Sequence, residues 1–311
     1  MRKIEIKKYL NFLGMDAIEK MSFKSCEICG NKNTKLIRKK ISWNNNRYGI
    51  LPVHCCLSCG FIFQNPRFNK NFYSKYYGKS YGEEVILKKI SIKNTIKTQK
   101  ERGELLYKFL KNYLPKKGSM LDVGSSIGCM MIPFLKRGWK CEGNDPFKSF
   151  VEYGKNNLGL PVECLQSEDM QIKKKSKDLI IIMGSLEHVY DPNLVMQKCQ
   201  RAIKKNGILV LEARGDPIGP IKKFFNQSHH RYFFGNTMEL IMRKHGFEPF
   251  LTTKYPITGP SRPGTQFCIG SYKGNKIKKN FKNLIKNGKR ETYLDIIYKL
   301  KYYDKINKNK K

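Results

Sequence analysis

The chain has 311 residues, of which 40% are hydrophobic and 12% aromatic, and this composition excludes a disordered or fibrous protein. Its longest uninterrupted apolar run, Leu179 to Met183, is far shorter than the roughly 18 residues that a membrane-spanning helix needs. Lysines also interrupt the N-terminal stretch MRKIEIKKYL, where a signal peptide would have an apolar core. With a prior of about 150 residues per domain, we expect a soluble, cytoplasmic protein with two domains and no transmembrane segment.

The charge is strongly basic, because 61 lysines and arginines stand against 25 acidic residues, a formal net charge of +36. Such a charge favours anionic partners, whether nucleic acid, anionic lipid or phosphorylated small molecules. The lysines are scattered over the whole chain, however, so a background composition rich in Lys, Asn and Ile competes with a functional surface as their cause. The sequence leaves both interpretations open.

Two pairs of cysteines near the N-terminus have the spacing of metal ligands. Cys26 and Cys29 form one CxxC pair, Cys56 and Cys59 form a second, and a glycine follows each pair. Four thiolates complete a closed tetrahedral shell around zinc, with no open position for catalysis, so the pattern predicts a structural zinc ribbon. Reduced free thiols are the alternative, and His54 is a minor alternative ligand.

The pattern divides the chain into five segments. They are an N-terminal segment (residues 1–20), the zinc ribbon (21–66), a connector with one helix (67–100), an α/β domain (101–272) and a basic, partly helical tail (273–311). Alternating hydrophobicity predicts two strands inside the ribbon, Leu36–Trp43 and Ile50–His54.

Strands alternate with helices after the connector, which predicts a Rossmann-like, doubly wound α/β sheet with a late two-strand addition. The predicted strands are Ser119–Val123, Lys140–Gly143, Val162–Leu165, Asp178–Met183, Ile208–Glu212, Phe247–Leu251 and Thr265–Tyr272. The predicted helices run from about Thr98 to Tyr113, from the glycine-rich loop to Arg137, from Pro192 through Ile203, and from Thr237 to His245.

The tail carries 14 basic and 3 acidic residues between Ser271 and Lys311. From Asn280 onwards it can form an amphipathic helix whose apolar stripe consists of Tyr293, Ile297, Leu300 and Tyr303. We expect this stripe to pack back onto the domain, and contact with RNA or a membrane is the alternative.

A glycine-rich loop follows the first strand of the α/β domain, and it reads Asp122-x-Gly124-x-Ser126-x-Gly128. Glycines let the backbone approach a ligand closely, and the following helix N-terminus favours polar or anionic groups. The acid before the first glycine would repel a pyrophosphate, but it suits a ligand with an ammonium group, such as the amino acid end of S-adenosylmethionine.

Further acids follow the next two strands. Asp145 follows the second strand, where a carboxylate can accept both hydroxyls of a ribose. Glu168 and Asp169 follow the third strand, where the adenine edge would lie. In this order and at these separations, the acids together predict a nucleoside-containing cofactor.

The residues Leu105 to Tyr272 resemble the class I S-adenosylmethionine-dependent methyltransferases. The resemblance rests on the motifs LDVGSSIG, GNDP, DLIIIMGSLEHVYDP and AIKKNGILVLEA. The knuckle CxxCGxxxxxP, from Cys56 to Pro66, and the later run His230-Arg-Tyr-Phe-Phe234 are similar to a branch that carries an N-terminal zinc ribbon. Members of that branch commonly methylate small molecules, notably sugars of surface polysaccharides or antibiotics, at carbon or oxygen.

The resemblance implies a role for individual residues. Asp122, Gly124 and Gly128 would hold the amino acid moiety of the cofactor, Asp145 its ribose, and Glu168 with Asp169 its adenine. Three residues at the end of the fourth strand would face the methyl-bearing sulfonium: Gly184, Ser185 and Leu186. One departure is Ser126, which replaces the middle glycine of the loop and would cost about 1 kcal/mol if the position needs a positive φ.

Two histidines are candidates for the base that removes a proton from the acceptor, because His titrates near neutral pH. We expect His230 at the acceptor site, whereas His188 opens a helix and is expected to have a mainly structural role. The resulting prediction is methyl transfer to a sugar or nucleotide-linked sugar of surface polysaccharide biosynthesis. An RNA methyltransferase that uses the basic surface and a non-catalytic zinc-ribbon binding protein are the alternatives.

Overall fold

The computed structural model describes residues 10–11, 13–17, 19–41, 51–80, 91–215, 217, 224–225, 228–234, 236–287 and 291–309. Within them, thirteen strands form a seven-stranded, a four-stranded and a two-stranded sheet. The strands are β1 (Lys20–Met21), β2 (Thr34–Ile41), β3 (Leu51–Cys56), β4 (Ile62–Gln64), β5 (Arg67–Phe68), β6 (Ser119–Val123), β7 (Lys140–Asp145), β8 (Val162–Cys164), β9 (Lys177–Met183), β10 (Ile203–Arg214), β11 (Arg231–Tyr232), β12 (Phe247–Thr253) and β13 (Thr265–Tyr272).

The seven-stranded sheet has the order β12-β13-β10-β9-β6-β7-β8. Strands β10, β9, β6, β7 and β8 run parallel, and β13 is antiparallel to both of its neighbours. Because helices cover both faces of the parallel part, its central strand β9 is buried along almost its whole length, and from Leu179 to Met183 it is an uninterrupted apolar run. The predicted α/β fold with a late two-strand addition is therefore confirmed.

The helices connect these strands and begin or end at recognisable residues. They are α1 (Lys70–Lys75), α2 (Ile92–Leu110), α3 (Ile132–Leu135), α4 (Lys148–Leu158), α5 (Pro192–Ala202), α6 (Thr237–Lys244), α7 (Asn275–Asn287) and α8 (Tyr293–Asn309). Asp191 caps α5, because its side chain accepts hydrogen bonds from Asn193 N and Leu194 N at 2.9 and 3.0 Å.

Three predicted helices have different bounds in the structure. The helix expected from Thr98 begins at Ile92, where the hydroxyl of Ser91 accepts a hydrogen bond from the backbone of Asn94. Ile203 is the first residue of β10 and not a member of α5. The helix expected to reach Arg137 is the single turn α3, preceded by a 3-10 turn.

Pro133 is the second residue of α3, within its first turn. Proline is tolerated at this point because the first backbone N–H groups of a helix have no intrahelical partner. The structure thereby accounts for a proline next to the glycine-rich loop.

The four-stranded sheet belongs to the N-terminal region and has the order β11-β4-β3-β2. Its strands β2 and β3 correspond to the predicted ribbon strands, of which Ser42, Trp43 and Ile50 lie outside the described residues. The fourth strand, β11, comes from far along the chain and pairs with β4 through Arg231↔Phe63 and Tyr232↔Ile62. The α/β domain therefore supplies one edge of the cysteine-containing sheet.

The tail forms two helices, α7 and α8, rather than one helix from Asn280. Ile296 and Leu300 are buried against the apolar cluster under the four-stranded sheet. The packing is close, since a Cβ placed on Gly60 would lie 2.7 Å from Cγ1 of Ile296. The apolar side of α8 thus lies against the second cysteine pair.

Along the described part of the chain, we find no helix with the length and apolar character needed to cross a membrane.

A close contact between α2 and the residues after the glycine-rich loop gives a first prediction. A Cβ on Gly103 would lie 3.0 Å from Cα of Met130 and nearer still to its carbonyl oxygen. Helix propensity favours alanine over glycine by about 1 kcal/mol, but the contact opposes it by about 1–3 kcal/mol. We expect Gly103→Ala to lower the free energy of unfolding, measured in urea. Glu101→Ala, at an exposed position of the same helix, is the control, and a stabilised Gly103→Ala would contradict the prediction.

Candidate functional site

A cavity of about 340 Å³ opens at the carboxyl ends of β6, β7 and β9, where parallel α/β sheets bind their ligands. The residues that line it come from these strand ends and the loops after them, the 3-10 turn after the glycine-rich loop, α2, α4, the segment after β8, the 76–80 turn and the loop before β13. They are Tyr77, Gln99, Arg102, Asp122, Gly124, Ser125, Ser126, Met130, Asp145, Pro146, Phe147, Phe150, Gln166, Ser167, Met183, Gly184, Ser185, His188, Val189 and Arg262.

The glycine-rich loop forms one wall of the cavity and requires left-handed backbone. Gly124 and Gly128 have φ values of 73° and 89°, and a Cβ on Gly124 would lie 2.6 Å from the hydroxyl of Ser185. Ser126 also has a positive φ, 55°, and its N–H donates to Oδ2 of Asp145 at 2.8 Å. The serine therefore takes the strained conformation that the motif demands of a glycine.

Asp122 lies at the end of β6 with 1% of its surface exposed. Its Oδ2 is buried without a hydrogen-bond partner among the described residues. Burial, and then the charge of Asp145, raises the pKa of Asp122 to about 7. A buried carboxylate in this state is a site for a cation, and the ammonium group of an amino acid fits it.

Asp145 lies beside the loop at the end of β7. Its Oδ1 accepts a hydrogen bond from Phe147 N at 2.9 Å, and its Oδ2 accepts one from Ser126 N. Burial raises the pKa of Asp145 to about 6, although these two hydrogen bonds lower it. The side chain is fixed in orientation, and each carboxylate oxygen keeps a lone pair for a hydroxyl donor such as a ribose.

Four of the predicted cofactor residues do not line the cavity. Leu186 is packed in the core, Asp169 is exposed, and Gly128 forms the turn behind the loop, where a Cβ would lie 2.6 Å from Val162. Oε1 of Glu168 accepts hydrogen bonds from the backbone N–H groups of residues 190 and 191 at 2.7 and 3.0 Å. Gln166 and Ser167, immediately before Glu168, line the cavity at that point instead.

The two candidate histidines occupy different environments. His188 lines the cavity, and its Nδ1 donates to the carbonyl oxygen of Ser228 at 2.8 Å. The hydroxyl of Tyr77 lies 3.1 Å from the same Nδ1. A hydrogen bond to the carbonyl, which can only accept, requires a proton on Nδ1, and Nε2 then carries the lone pair. Burial lowers the pKa of His188 to about 4, so the ring is neutral at physiological pH.

His230 is completely buried and does not line the cavity. Its Nδ1 donates to the carbonyl oxygen of Val189 at 3.2 Å, and its ring packs against Tyr73. Burial lowers the pKa of His230 well below its usual value. The structure thus places His188, and not His230, where an acceptor could reach it.

Glu187 and His229 lie close to His188. One ligand atom from each of the three side chains lies within 4.8 Å of the others. Both carboxylate oxygens of Glu187 are buried, with no hydrogen-bond partner in the described ranges, and burial raises its pKa. The charge of Arg262 acts in the opposite direction and lowers that pKa.

A buried ionic group, which the sequence did not reveal, lies near His188 and Glu187. The carboxylate of Glu212 pairs with Arg102 on one side and with Arg262, at 2.9 Å, on the other. Arg262 also donates to the carbonyl oxygen of Met183 at 3.1 Å, directly before Gly184. The two guanidinium groups share this one carboxylate, and their charges also act on Glu187 and Asp122. Neither arginine lies in a motif, so a pattern search had no signal for them.

The four cysteines of the CxxC pairs come together in the N-terminal region. Their sulfur atoms lie within 4.8 Å of one another, with Cys26 to Cys59 at 3.7 Å and Cys29 to Cys56 at 3.5 Å. Zinc–sulfur bonds of about 2.3 Å in a tetrahedron place sulfur atoms about 3.8 Å apart. Gly30 and Gly60 have φ values of 75° and 69°, as the turn after each pair requires. The cluster therefore fits a zinc ion.

Comparison with known proteins agrees with this geometry. Residues 121–211, which span β6 to β10, match the family model described as "Methyltransferase domain". Residues 121–211 therefore form a methyltransferase domain. The predicted family is confirmed at this level, and the residues around Asp122 and Asp145 fit its cofactor.

Curated relatives of the methyltransferase domain include two ubiquinone biosynthesis O-methyltransferases. The protein of Nitrobacter winogradskyi is 30% identical over 95 residues, which cover 29% of this chain and 36% of the relative. The protein of Coxiella burnetii (strain Dugway 5J108-111) is 30% identical over 108 residues, which cover 33% and 46%. The chain thus spans less than half of the length of these relatives.

Among solved structures, a putative S-adenosylmethionine-dependent methyltransferase from Listeria monocytogenes is similar over 56% of this chain and 99% of its own. Its TM-score is 0.43 and its sequence identity is 16%. Values this low carry no conclusion beyond the likeness itself.

The raised pKa of Asp122 makes cofactor binding depend on pH. An ammonium group binds the ionised carboxylate, so binding must displace a proton below the free pKa of about 7. We expect the affinity for S-adenosylmethionine, measured by calorimetry, to rise as the pH rises from about 6 to about 7.5, approaching tenfold per unit at the acidic end. Asp122→Asn should bind more weakly and lose most of this slope. A wild-type affinity that stays constant over the range would contradict the assignment.

The cysteine cluster predicts stoichiometric metal. Protein purified without chelators should contain about one zinc ion per chain, measured by mass spectrometry of the element, because four thiolates form a closed site. Cys59→Ser should lose most of it, whereas Cys164→Ser, at an exposed position outside the cluster, should retain it. A folded wild-type protein without stoichiometric zinc would disprove the site.

Proposed function

We propose that this chain transfers a methyl group from S-adenosylmethionine to a small-molecule acceptor, a sugar or nucleotide-linked sugar, and that its four cysteines hold a structural zinc ion. One observation carries the proposal. The same cavity holds the acids Asp122 and Asp145 at the carboxyl ends of β6 and β7, and His188 with Arg262 beyond the end of β9. A cofactor and an acceptor would therefore meet inside a single space.

Methyl transfer requires the protein mainly to align the acceptor with the methyl group and to remove a proton from the acceptor. S-adenosylmethionine supplies a methyl group on an already activated sulfonium. The chain holds the amino acid end at Asp122 and the ribose at Asp145, and it brings the acceptor to Gly184 and Ser185. Alignment of this kind contributes several kcal/mol to the rate, and a base in hydrogen-bond reach contributes further.

His188 is the base that the geometry favours, in place of His230. Its Nδ1 hydrogen bond to Ser228 fixes the ring, and its Nε2 carries a lone pair that can take a proton from an acceptor hydroxyl or an acidic carbon. Its lowered pKa keeps the ring neutral at physiological pH, with a lone pair on Nε2, and also makes it a weaker base than a histidine that titrates near pH 7. His230 instead holds the backbone on which His188 lies.

Two guanidinium groups that line the cavity support an acceptor that carries negative charge. Arg262 is 29% exposed in its side chain, and Arg102 adds a second guanidinium behind it. A nucleotide-linked sugar presents phosphates to such a surface, which agrees with the predicted acceptor class. The names of the curated relatives favour oxygen as the methylated atom.

The proposal is tested by transfer of labelled methyl from S-adenosylmethionine to two fractions of the source cell, small metabolites that include nucleotide-sugars and total RNA. We expect label in the metabolites, followed by identification of the product by mass spectrometry. Label in RNA alone would show that the basic charge of the chain indicated the true acceptor. Label in neither fraction, while the cofactor still binds, would favour a binding protein.

The role of His188 is tested in the same assay. His188→Gln should lower kcat by about 10²–10⁴-fold, because general-base catalysis contributes that much, while the affinity for the cofactor changes little. His54→Gln is the matched control, since His54 lies in β3 and does not line the cavity. Unchanged turnover in His188→Gln would exclude this residue as the base.

A further inference from the structure

A buried glutamate lies inside the first CxxC pair. Glu27 is the residue after Cys26, and its carboxylate accepts hydrogen bonds from two arginines that are completely buried. Arg67 donates to Oε1 and Oε2 at 2.8 and 3.2 Å, and Arg231 donates to the same two oxygens at 2.9 and 3.2 Å. Each arginine therefore forms a bidentate pair, the most directional form of an ion pair.

The other donors of the same arginines hold the loop after β9. Arg231 Nη1 donates to the carbonyl oxygen of Leu186 at 3.2 Å and also to that of Val189. The carbonyl oxygen of Tyr190 accepts from Arg231 Nη2 at 3.0 Å and from Arg67 Nη2 at 2.9 Å. These three carbonyls flank Glu187 and His188. The guanidinium groups therefore hold the backbone around His188 by hydrogen bonds, and Glu27 orients these guanidinium groups.

A second set of contacts fixes the backbone of Glu27 itself. Its carbonyl oxygen accepts from Lys244 Nζ at 2.6 Å and from Asn193 Nδ2 at 2.9 Å, which joins the first cysteine pair to α6 and α5. The cysteine-containing sheet also reaches the loop directly. Gln64 N in β4 donates to the carbonyl oxygen of His230 at 2.9 Å, and His230 N donates to that of Glu187 at 3.0 Å.

We propose that Glu27 and Arg231 are positioning residues for methyl transfer, through which the four-cysteine cluster determines where His188 lies in the cavity. The direction of the Glu27 side chain follows from the turn between Cys26 and Cys29, and a metal ion on those sulfurs holds that turn. The metal therefore acts on turnover at a distance, without contacting the cofactor or the acceptor. The activity readout of this inference rests on the proposed function, but its structural readout does not.

The test uses the full chain and the variant Glu27→Gln, which keeps the shape of the side chain but turns an amide NH₂ towards a guanidinium. We expect kcat to fall by about ten- to a hundredfold, the effect of a small displacement of a reacting group. The affinity for S-adenosylmethionine should change less than about threefold, because Asp122 and Asp145 lie on other strands. Zinc content should stay at the wild-type value. Glu27→Asp, which keeps the charge, should restore part of kcat.

Nitrogen NMR of the five histidines distinguishes a positioning role of Glu27 from a purely structural one. A glutamate that only stabilised the fold would leave the imidazole signals of His188 unchanged. The imidazole signals of His188 should shift in Glu27→Gln, whereas those of His54 should not. The matched control is Glu19→Gln, an exposed glutamate of the N-terminal region that accepts a hydrogen bond from Asn69 and does not touch the loop. A folded Glu27→Gln with wild-type kcat and wild-type His188 signals would overturn the proposal.

A chelator titration of the wild-type protein tests the same coupling without the Glu27→Gln variant, and it applies even if that variant does not fold. Removal of the metal should shift the His188 signals in proportion to the zinc released, while S-adenosylmethionine still binds. His188 signals that stay unchanged after complete loss of zinc would overturn the coupling. If the wild-type protein methylates no acceptor, the proposed function fails, but the His188 signals still decide whether Glu27 positions this loop.

Discussion

The ion pairs that the Glu27 carboxylate makes with Arg67 and Arg231 link the N-terminal region to the α/β domain, alongside the pairing of β4 with β11. Burial raises the pKa of Glu27, but the charges of Arg231 and Arg67 outweigh burial and hold the pKa at about 2, so the group is ionised at physiological pH. A buried charge is tolerated only when it is paired and hydrogen-bonded, and the two bidentate pairs meet this condition. One residue of the turn between Cys26 and Cys29 thus holds Arg67 of the N-terminal region and Arg231 of the α/β domain in fixed positions.

The cavity holds acidic and basic side chains close together. Burial raises the pKa values of Asp122 and Asp145, and the charge of Arg102 lowers that of Asp122. Arg102 and Arg262 share the carboxylate of Glu212. The acids at the ends of β6 and β7 would attract a positively charged cofactor, while Glu212 holds the two guanidinium groups in place.

Much of the site could be predicted because its signals are local in the chain. The loop that begins at Asp122 needs glycines at close spacing and an acid two residues before the first glycine. This pattern can be recognised in the sequence even though Ser126 replaces a glycine. The CxxC pairs are readable for the same reason. The sequence favoured His230 over His188 for the acceptor site, but exposure decides between them, and a sequence does not show exposure. His230 is enclosed by Tyr73 and by β4, residues more than 150 positions away, and His188 lies at the cavity.

The sequence by itself determined the class of the fold, the glycine-rich loop, the two acids at the ends of β6 and β7, and the four cysteines that come together. These depend on hydrophobic periodicity and on spacings within a few residues. Only the tertiary structure decided that β11 completes the cysteine-containing sheet, that Arg262 reaches the end of β9, and that Glu27 is linked through Arg231 to the loop of His188. Each of these pairs residues far apart in the chain, and such contacts follow from how the whole core closes rather than from any local pattern.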